Sequence, residues 1–285
     1  MSAVATRTAA VPRRPRLRPG SLALTLLTYV LALLVFFPVL WTVLTAFKKE
    51  ADAAATPPVF LFKPTLVNFS AVFDADYVRY FENTVILAGG STVLALVLGL
   101  PAAYSLAYHP SRHTPQVLSW VLSTKMLPVV GALIPFIVIY KRVGLYDTRV
   151  GMILLYTALN LPLVIWMMRS FFADLPREIL EAATVDGAGF LRVLTRIVMP
   201  LTTPGLAATA LLSVIFSWNE FLLAVNLTAA KSGTLPVFIS GFQTSEGLFF
   251  AKMSAASTMA IAPVILAGWL AQRSLVRGLT FGAVK

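Results

Sequence analysis

The sequence predicts an all-α integral membrane protein with six transmembrane helices. Three observations carry this. Of 285 residues, 58% are hydrophobic and 12% charged, far from the roughly one-quarter charged composition of soluble domains. Six apolar segments reach or approach the ~20 residues that cross a ~30 Å hydrocarbon core as helix. Finally, the net charge of +11 is scattered between these segments. It lacks the basic stripe with exposed aromatics that marks a nucleic-acid binder, so it reads as membrane topology.

The first element is a basic tail, residues 1–20, with Arg7, Arg13, Arg14, Arg16 and Arg18. The apolar run behind it, Leu22 to Phe47, is too long for the core of a secretory signal and has no small-x-small cleavage site before Lys48 and Lys49. It is expected to remain as the first span of a membrane domain covering residues 21–285. The other five spans are placed at Phe81 to Tyr108, Val117 to Tyr140, Val150 to Phe172, Gly205 to Leu227 and Ala255 to Leu275, before a C-terminal tail at 273–285. Pro38, Pro101, Pro128, Pro135, Pro162 and Pro263 fall inside spans. Each removes a backbone donor, which kinked helices packed round a cavity tolerate best.

Six spans put both termini on one side of the membrane. The arginine block precedes the first helix, and Lys and Arg there usually set orientation. Both termini are therefore expected in the cytoplasm, with external loops at Lys48 to Tyr80, Lys141 to Arg149 and Thr228 to Ser254. Lys48, Lys49 and Lys252 stand at helix ends, where snorkelling accounts for them. Trp41, Trp166 and Trp269 read as packing or interfacial residues. The chain has no cysteine, and His109 and His113 share a short loop without further ligand types, so no metal site is expected.

Charged and polar residues inside spans mark functional candidates. Lys125 lies in the third span, Asn160 in the fourth, and Trp218, Asn219 and Glu220 in the fifth. Together they offer hydrogen-bond groups and an aromatic face to a path through the membrane; pairing between helices is the structural alternative for each. Glu220 is the only acidic residue central to a span, which gives little support to an ion-coupled secondary transporter built on membrane carboxylates.

Between the fourth and fifth spans, residues 174–200 form a cytoplasmic loop. Asp174 is placed to cap a helix, Pro176 to occupy its first turn, and Asp186-Gly187 to turn the chain. A second amphipathic piece follows, with Phe190, Leu191, Val193, Leu194, Ile197 and Val198 on its apolar side. Such a knob lies on headgroups or docks into a groove on a partner.

The spacing Glu181-Ala182-Ala183, three residues, Gly187, nine residues, Ile197, one residue, Met199-Pro200 resembles the EAA signature of permease subunits of binding-protein-dependent ABC importers, with Met199 where Leu is usual. The resemblance runs from about Leu22 to Lys285. It implies the type I ABC importer permease fold, with the loop as a coupling helix seated in a cleft of the ATPase. Glu181 would contact the ATPase, Ala182 and Ala183 would allow close approach, Gly187 would make the bend, and Asp186, Ile197 and Pro200 would complete the coupling loop.

Lys125-Met126-Leu127-Pro128, Gly144 to Thr148, Trp218-Asn219-Glu220 and the terminal Arg277 to Lys285 are similar to the carbohydrate-uptake branch, in particular its maltose-type inner permease. The stretch Ala251 to Pro263, together with that terminal tail, is similar to permeases for mannitol and sorbitol. Another carbohydrate, such as a disaccharide, is the alternative.

The chain has no phosphate loop, H-E-x-x-H or G-x-S-x-G motif. It is therefore expected to be non-catalytic and to bind no cofactor, with ATP and Mg held by partners. The resemblance implies those partners: two ATPase subunits, a second related permease subunit and an extracytoplasmic solute-binding protein, assembled in a bacterial cytoplasmic membrane.

Overall fold

A computed structural model of the chain describes residues 19–244 and 247–281. Most of the basic tail and the last four residues of the C-terminal motif lie outside the described residues.

The chain enters as α1 (Pro19–Ala46), followed by the short α2 (Glu50–Ala53) and α3 (Val67–Asp74). Next come α4 (Tyr77–Tyr108), the pair α5 (Thr114–Met126) and α6 (Val129–Arg142), and α7 (Arg149–Ala173). The loop region supplies α8 (Arg177–Val185), α9 (Phe190–Val193), a π-helical turn at Leu194–Val198 and α10 (Met199–Leu201). Finally α11 (Thr203–Trp218), α12 (Leu222–Leu227), α13 (Leu235–Ser240), the two-residue strands β1 (Gln243–Thr244) and β2 (Gly247–Leu248), and α14 (Phe250–Phe281) complete the described chain. α1, α4, α7 and α14 are each long and apolar enough to cross a membrane; the count rises to six if two bent pairs are each taken as one span.

Those two pairs change the predicted spans. The third is not one helix: α5 and α6 meet at 86° around Leu127-Pro128. Proline disfavours helix at the residue before it, and Leu127 is extended at φ −65°, ψ 130°. The fifth does not run to Leu227: α11 stops at Trp218, and the chain restarts as α12 after Asn219 to Phe221. Its entry is bent too, by 87° between the 190–201 stretch and α11. Pro38, Pro101, Pro135, Pro162 and Pro263 all stay inside continuous helices. The last span is longer than expected, so residues 273–281 of the predicted tail continue α14.

α4 and α7 form the centre of the bundle, and Gly99 lets them pack closely. A Cβ there would stand 2.6 Å from Val164 Cγ1. Gly205 plays the same part against the ring of Phe171. Small residues of this kind let membrane helices pack closely where lipid gives no hydrophobic drive for association. By contrast, α1 is exposed along almost its whole length, as are Trp120, Trp166 and Trp269.

The segments after α1, α6 and α12 gather at one end of the bundle. Asn68 Nδ2 donates to the carbonyls of Ala46 and Lys48 at 2.8 and 2.7 Å, closing the end of α1. Glu50 Oε1 accepts from Ala251 N at 3.0 Å at the start of α14, where a carboxylate complements the helix dipole. Lys48 is not snorkelling: it is 1% exposed, its Nζ donates to Val59 O at 2.7 Å and sits 3.9 Å from the Trp41 ring centroid. Burial of an ammonium requires such partners, and the segment around Val59 folds back to supply the carbonyl.

Candidate functional site

A cavity of about 410 Å³ opens where the two broken helices face α7. This is within the ~300–1,000 Å³ range of small-molecule sites. Thr124 and Lys125 line it from α5, Leu127 and Val129 from the break, Tyr156 and Asn160 from α7, and Ser217, Glu220 and Leu223 from the second break. The structure thus brings Lys125, Asn160 and Glu220 together. Trp218 and Asn219 are elsewhere. Trp218 is 8% exposed with its ring edge-on to Phe81, and both residues line a different cavity, of about 250 Å³, against Leu235 and α14. Asn219 turns its Nδ2 back to Ile215 O at 2.8 Å.

Glu220 builds the second break. Its Oε1 accepts from Leu223 N at 2.8 Å, and its Oε2 from Ala224 N at 3.0 Å and from the Tyr156 hydroxyl at 3.1 Å. The carboxylate replaces the carbonyls that helix interruption takes from the first N–H groups of α12. Among the described residues it is in no salt bridge, and nor is Lys125, whose Nζ stands 5.4 Å from the Phe216 ring centroid.

One helical turn along α7 from Tyr156, Asn160 is 2% exposed. Its Nδ2 donates to Ser217 Oγ at 2.8 Å and lies 3.5 Å from Ser213 O. Ser217 Oγ is 3.1 Å from Ser91 Oγ, and Thr157 Oγ1 donates to the carbonyls of Ile153 and Ser91. A buried polar layer therefore joins α4, α7 and α11. Tyr156, Ser91 and Ser217 were not singled out from sequence. Tyr156 and Asn160 stand four apart in an apolar helix, a spacing that puts two polar groups on one face and could have exposed them.

The loop between α7 and α11 forms the other candidate site. Asp174 does not cap α8; it closes α7, and Pro176 takes the N-cap position because Leu175-Pro176 cannot continue the helix. Gly187 makes the expected turn with φ +71°. Ala183 is buried with Phe172, Val193, Leu194 and Val198, whereas Glu181, Ala182 and Asp186 are exposed, as is Val185 at 89%. Of the expected apolar face, Val193, Leu194 and Val198 are buried and Ile197 is half-buried, but Phe190 and Leu191 are exposed. Ile197 lies in the π-helical turn and Pro200 in α10. His109, Arg177 and Glu181 border a cavity of about 360 Å³ between this loop and the end of α4.

Residues 2–280 match the family of binding-protein-dependent transport system inner membrane components. The chain belongs to that family. It is 37% identical over 262 residues to a probable ABC transporter permease of Sinorhizobium fredii, covering 92% of this chain and 94% of that one. A trehalose/maltose transport system permease of Thermococcus litoralis is 32% identical over 90% of this chain and 94% of its own. A sulfoquinovosyl glycerol transport system permease of Agrobacterium fabrum is also 32% identical, over 87% and 88%. Among solved structures, a bacterial ABC transporter that imports alginate superposes with a TM-score of 0.72 at 24% identity, over 92% of this chain and 100% of that one. The architecture is the type I ABC importer permease fold, and the family's members are membrane components of ABC transporters.

Proposed function

We propose that this permease subunit carries a sugar or polyol across the bacterial cytoplasmic membrane, with both termini in the cytoplasm. The observation that carries the reading is the cavity that unites Lys125, Asn160 and Glu220 at two helix breaks. Broken helices in a membrane are tolerated where they line a cavity, and polar groups there are costly unless used. The carbohydrates named for the relatives from Thermococcus litoralis and Agrobacterium fabrum support the solute class. Trp218 and Asn219 border the neighbouring cavity and would meet solute on the same route.

The partners proposed are a second permease subunit, two ATPase subunits and an extracytoplasmic binding protein. ATP closure of the ATPase pair would move the loop around Glu181, Ala182, Ala183, Asp186 and Gly187, with Ile197 and Pro200 carrying that movement into α11. Transport then alternates access to the cavity. Inverting a 1:99 population takes a ~10⁴-fold preference of ATP for one conformation. Coupling to an ion gradient is disfavoured because the Glu220 carboxylate already accepts three hydrogen bonds.

The similarity of Ala251 to Pro263 and of the terminal tail to polyol permeases points to mannitol or sorbitol. Uptake of labelled mannitol and sorbitol by cells carrying the complete system is expected to vanish when this chain is deleted. Loss of trehalose or maltose uptake with polyol uptake intact would leave only the carbohydrate assignment standing.

A further inference from the structure

The buried polar layer beside the cavity is not fully satisfied. Among the described residues, Asn160 Oδ1, Ser213 Oγ and Thr92 Oγ1 are buried side-chain atoms without a hydrogen-bond partner. Asn160 matters most because it also forms part of the cavity wall. Its amide nitrogen faces two neighbours: Ser217 Oγ lies 2.8 Å from Nδ2, and the Ser213 backbone carbonyl, which only accepts, lies 3.5 Å from it. The oxygen is thereby turned away from both partners. A carboxamide oxygen only accepts, so what completes it must be a donor. In the conformation described here the oxygen is covered, and a buried acceptor left without a donor is destabilising.

We propose that Asn160 Oδ1 is a conformation-dependent contact for a solute hydroxyl, silent in this state and made when the wall of the cavity opens. The inference rests on the transport reading above and deepens it. A ligand shifts a conformational equilibrium only through interactions that differ between the two states, and a buried, orphaned acceptor in the wall is such an interaction. The partner's chemistry follows from the rest of the cavity. Lys125 contributes +1 and Glu220 −1, which sum to zero, so no net charge favours an ion. The Lys125 ammonium only donates while the Asn160 oxygen only accepts, and a hydroxyl serves either. The ligand class is a neutral polyhydroxylated molecule.

The test uses the whole complex with its binding protein in proteoliposomes, assayed for uptake of mannitol, sorbitol, trehalose and maltose. Two variants separate the oxygen from the nitrogen. Asn160→Leu removes both, and Ser217→Ala removes the partner of Nδ2. Loss of one hydrogen bond and its desolvated partner predicts a drop of about tenfold in uptake for Asn160→Leu, against about threefold or less for Ser217→Ala. Uptake is normalised to the amount of assembled complex, measured by size-exclusion chromatography of each variant.

Uptake by Asn160→Leu within twofold of wild type overturns the inference. So does a loss in Ser217→Ala as deep as in Asn160→Leu, since it shows an anchor acting through Nδ2. If the wild-type complex takes up none of the four probes, the carbohydrate reading fails and this inference with it.

Discussion

The Tyr156 hydroxyl donates to Glu220 Oε2 at 3.1 Å across 64 residues of sequence, tying the middle of α7 to the break between α11 and α12. Tyr156 is 1% exposed, and the same carboxylate holds two backbone N–H groups of α12. One side chain therefore fixes both the position of the break and its distance from α7. Glu220→Ala strands those donors at once and is expected to lower transport at least tenfold, from about 1–3 kcal/mol per stranded group. Tyr156→Phe leaves the carboxylate with its two backbone donors, and the same uptake assay should show a loss several-fold smaller. Equal losses in the two variants would refute the assignment of capping to Glu220.

Packing between α4 and α7 is tested at Gly99. Its missing Cβ would stand 2.6 Å from Val164 Cγ1, closer than side chains approach. Overpacking a dense core costs about 1–3 kcal/mol. Gly99→Ala should therefore lower the unfolding temperature of the detergent-purified protein by several degrees, and Val164→Ala in the same chain should restore most of it. Additive rather than compensating effects would show that the two helices do not meet at this point.

These two features show how much the sequence discloses. Helix positions were legible because apolar length is a composition signal, and α1, α4 and α7 start and stop within a few residues of where hydropathy places them. The break at Leu127-Pro128 was hidden because five other span prolines are absorbed in continuous helices. Whether a proline kinks or breaks depends on what can compensate nearby. The break at Glu220 was hidden for the opposite reason. It is made by a side chain that caps, and in sequence that residue reads only as a polar group in a span. The same ambiguity placed Trp218 and Asn219 beside Lys125, although two adjacent residues at a break face different cavities. The turn at Gly187 was legible because Asp-Gly carries its own backbone chemistry.

Asp147 supplies a pH prediction outside the spans. It sits at φ 53° between α6 and α7. Its carboxylate gathers Ala229 N at 2.8 Å, Ser232 N at 3.0 Å, Ser232 Oγ at 2.9 Å and Lys231 N at 3.1 Å, fastening one loop to the other. Burial pushes its pKa up, but the donors from Ala229, Ser232 and Lys231 outweigh burial and hold the carboxyl below its ordinary value of 3.8. A group depressed in the folded state contributes stability that is present above the unfolded pKa and lost as pH falls through the folded one. Thermal unfolding of the purified protein should thus show wild type above Asp147→Asn at neutral pH, with the gap unchanged down to about pH 4 and closing below it. A gap independent of pH down to acid unfolding would show that charge is not what fastens these loops.

Orientation is testable because the chain has no cysteine. Thr65 lies at the end of the bundle that carries the Asp147 contacts, its N–H donating to Phe47 O at 2.9 Å, whereas Ser111 lies in the turn between α4 and α5 at the other end. With both termini in the cytoplasm, an impermeant thiol reagent applied to intact cells should label Thr65→Cys and not Ser111→Cys. The reverse pattern would invert the topology.

Coupling through the α8 loop is the last expectation. Glu181 is exposed and has no hydrogen bond or salt bridge among the described residues, whereas Ala183, two residues on, is buried in the bundle's own core. Among the described residues nothing in the fold depends on the carboxylate, and Glu181→Ala should insert and fold as wild type does. If the carboxylate enters a buried pair with a cationic group of the ATPase, removing it leaves that charge stranded at a cost of about 3–5 kcal/mol. Transport and binding-protein-stimulated ATP hydrolysis should then fall together. Gly187 gives an independent probe of the same loop. No atom lies within 4 Å of where its Cβ would be, so Gly187→Val is disfavoured only by the left-handed φ of +71°. That strain of roughly 1–2 kcal/mol re-aims α8 relative to α9 without touching the core. ATPase activity of the reconstituted complex, with and without the binding protein, decides the matter: wild-type stimulation in both variants would remove this loop from the mechanism.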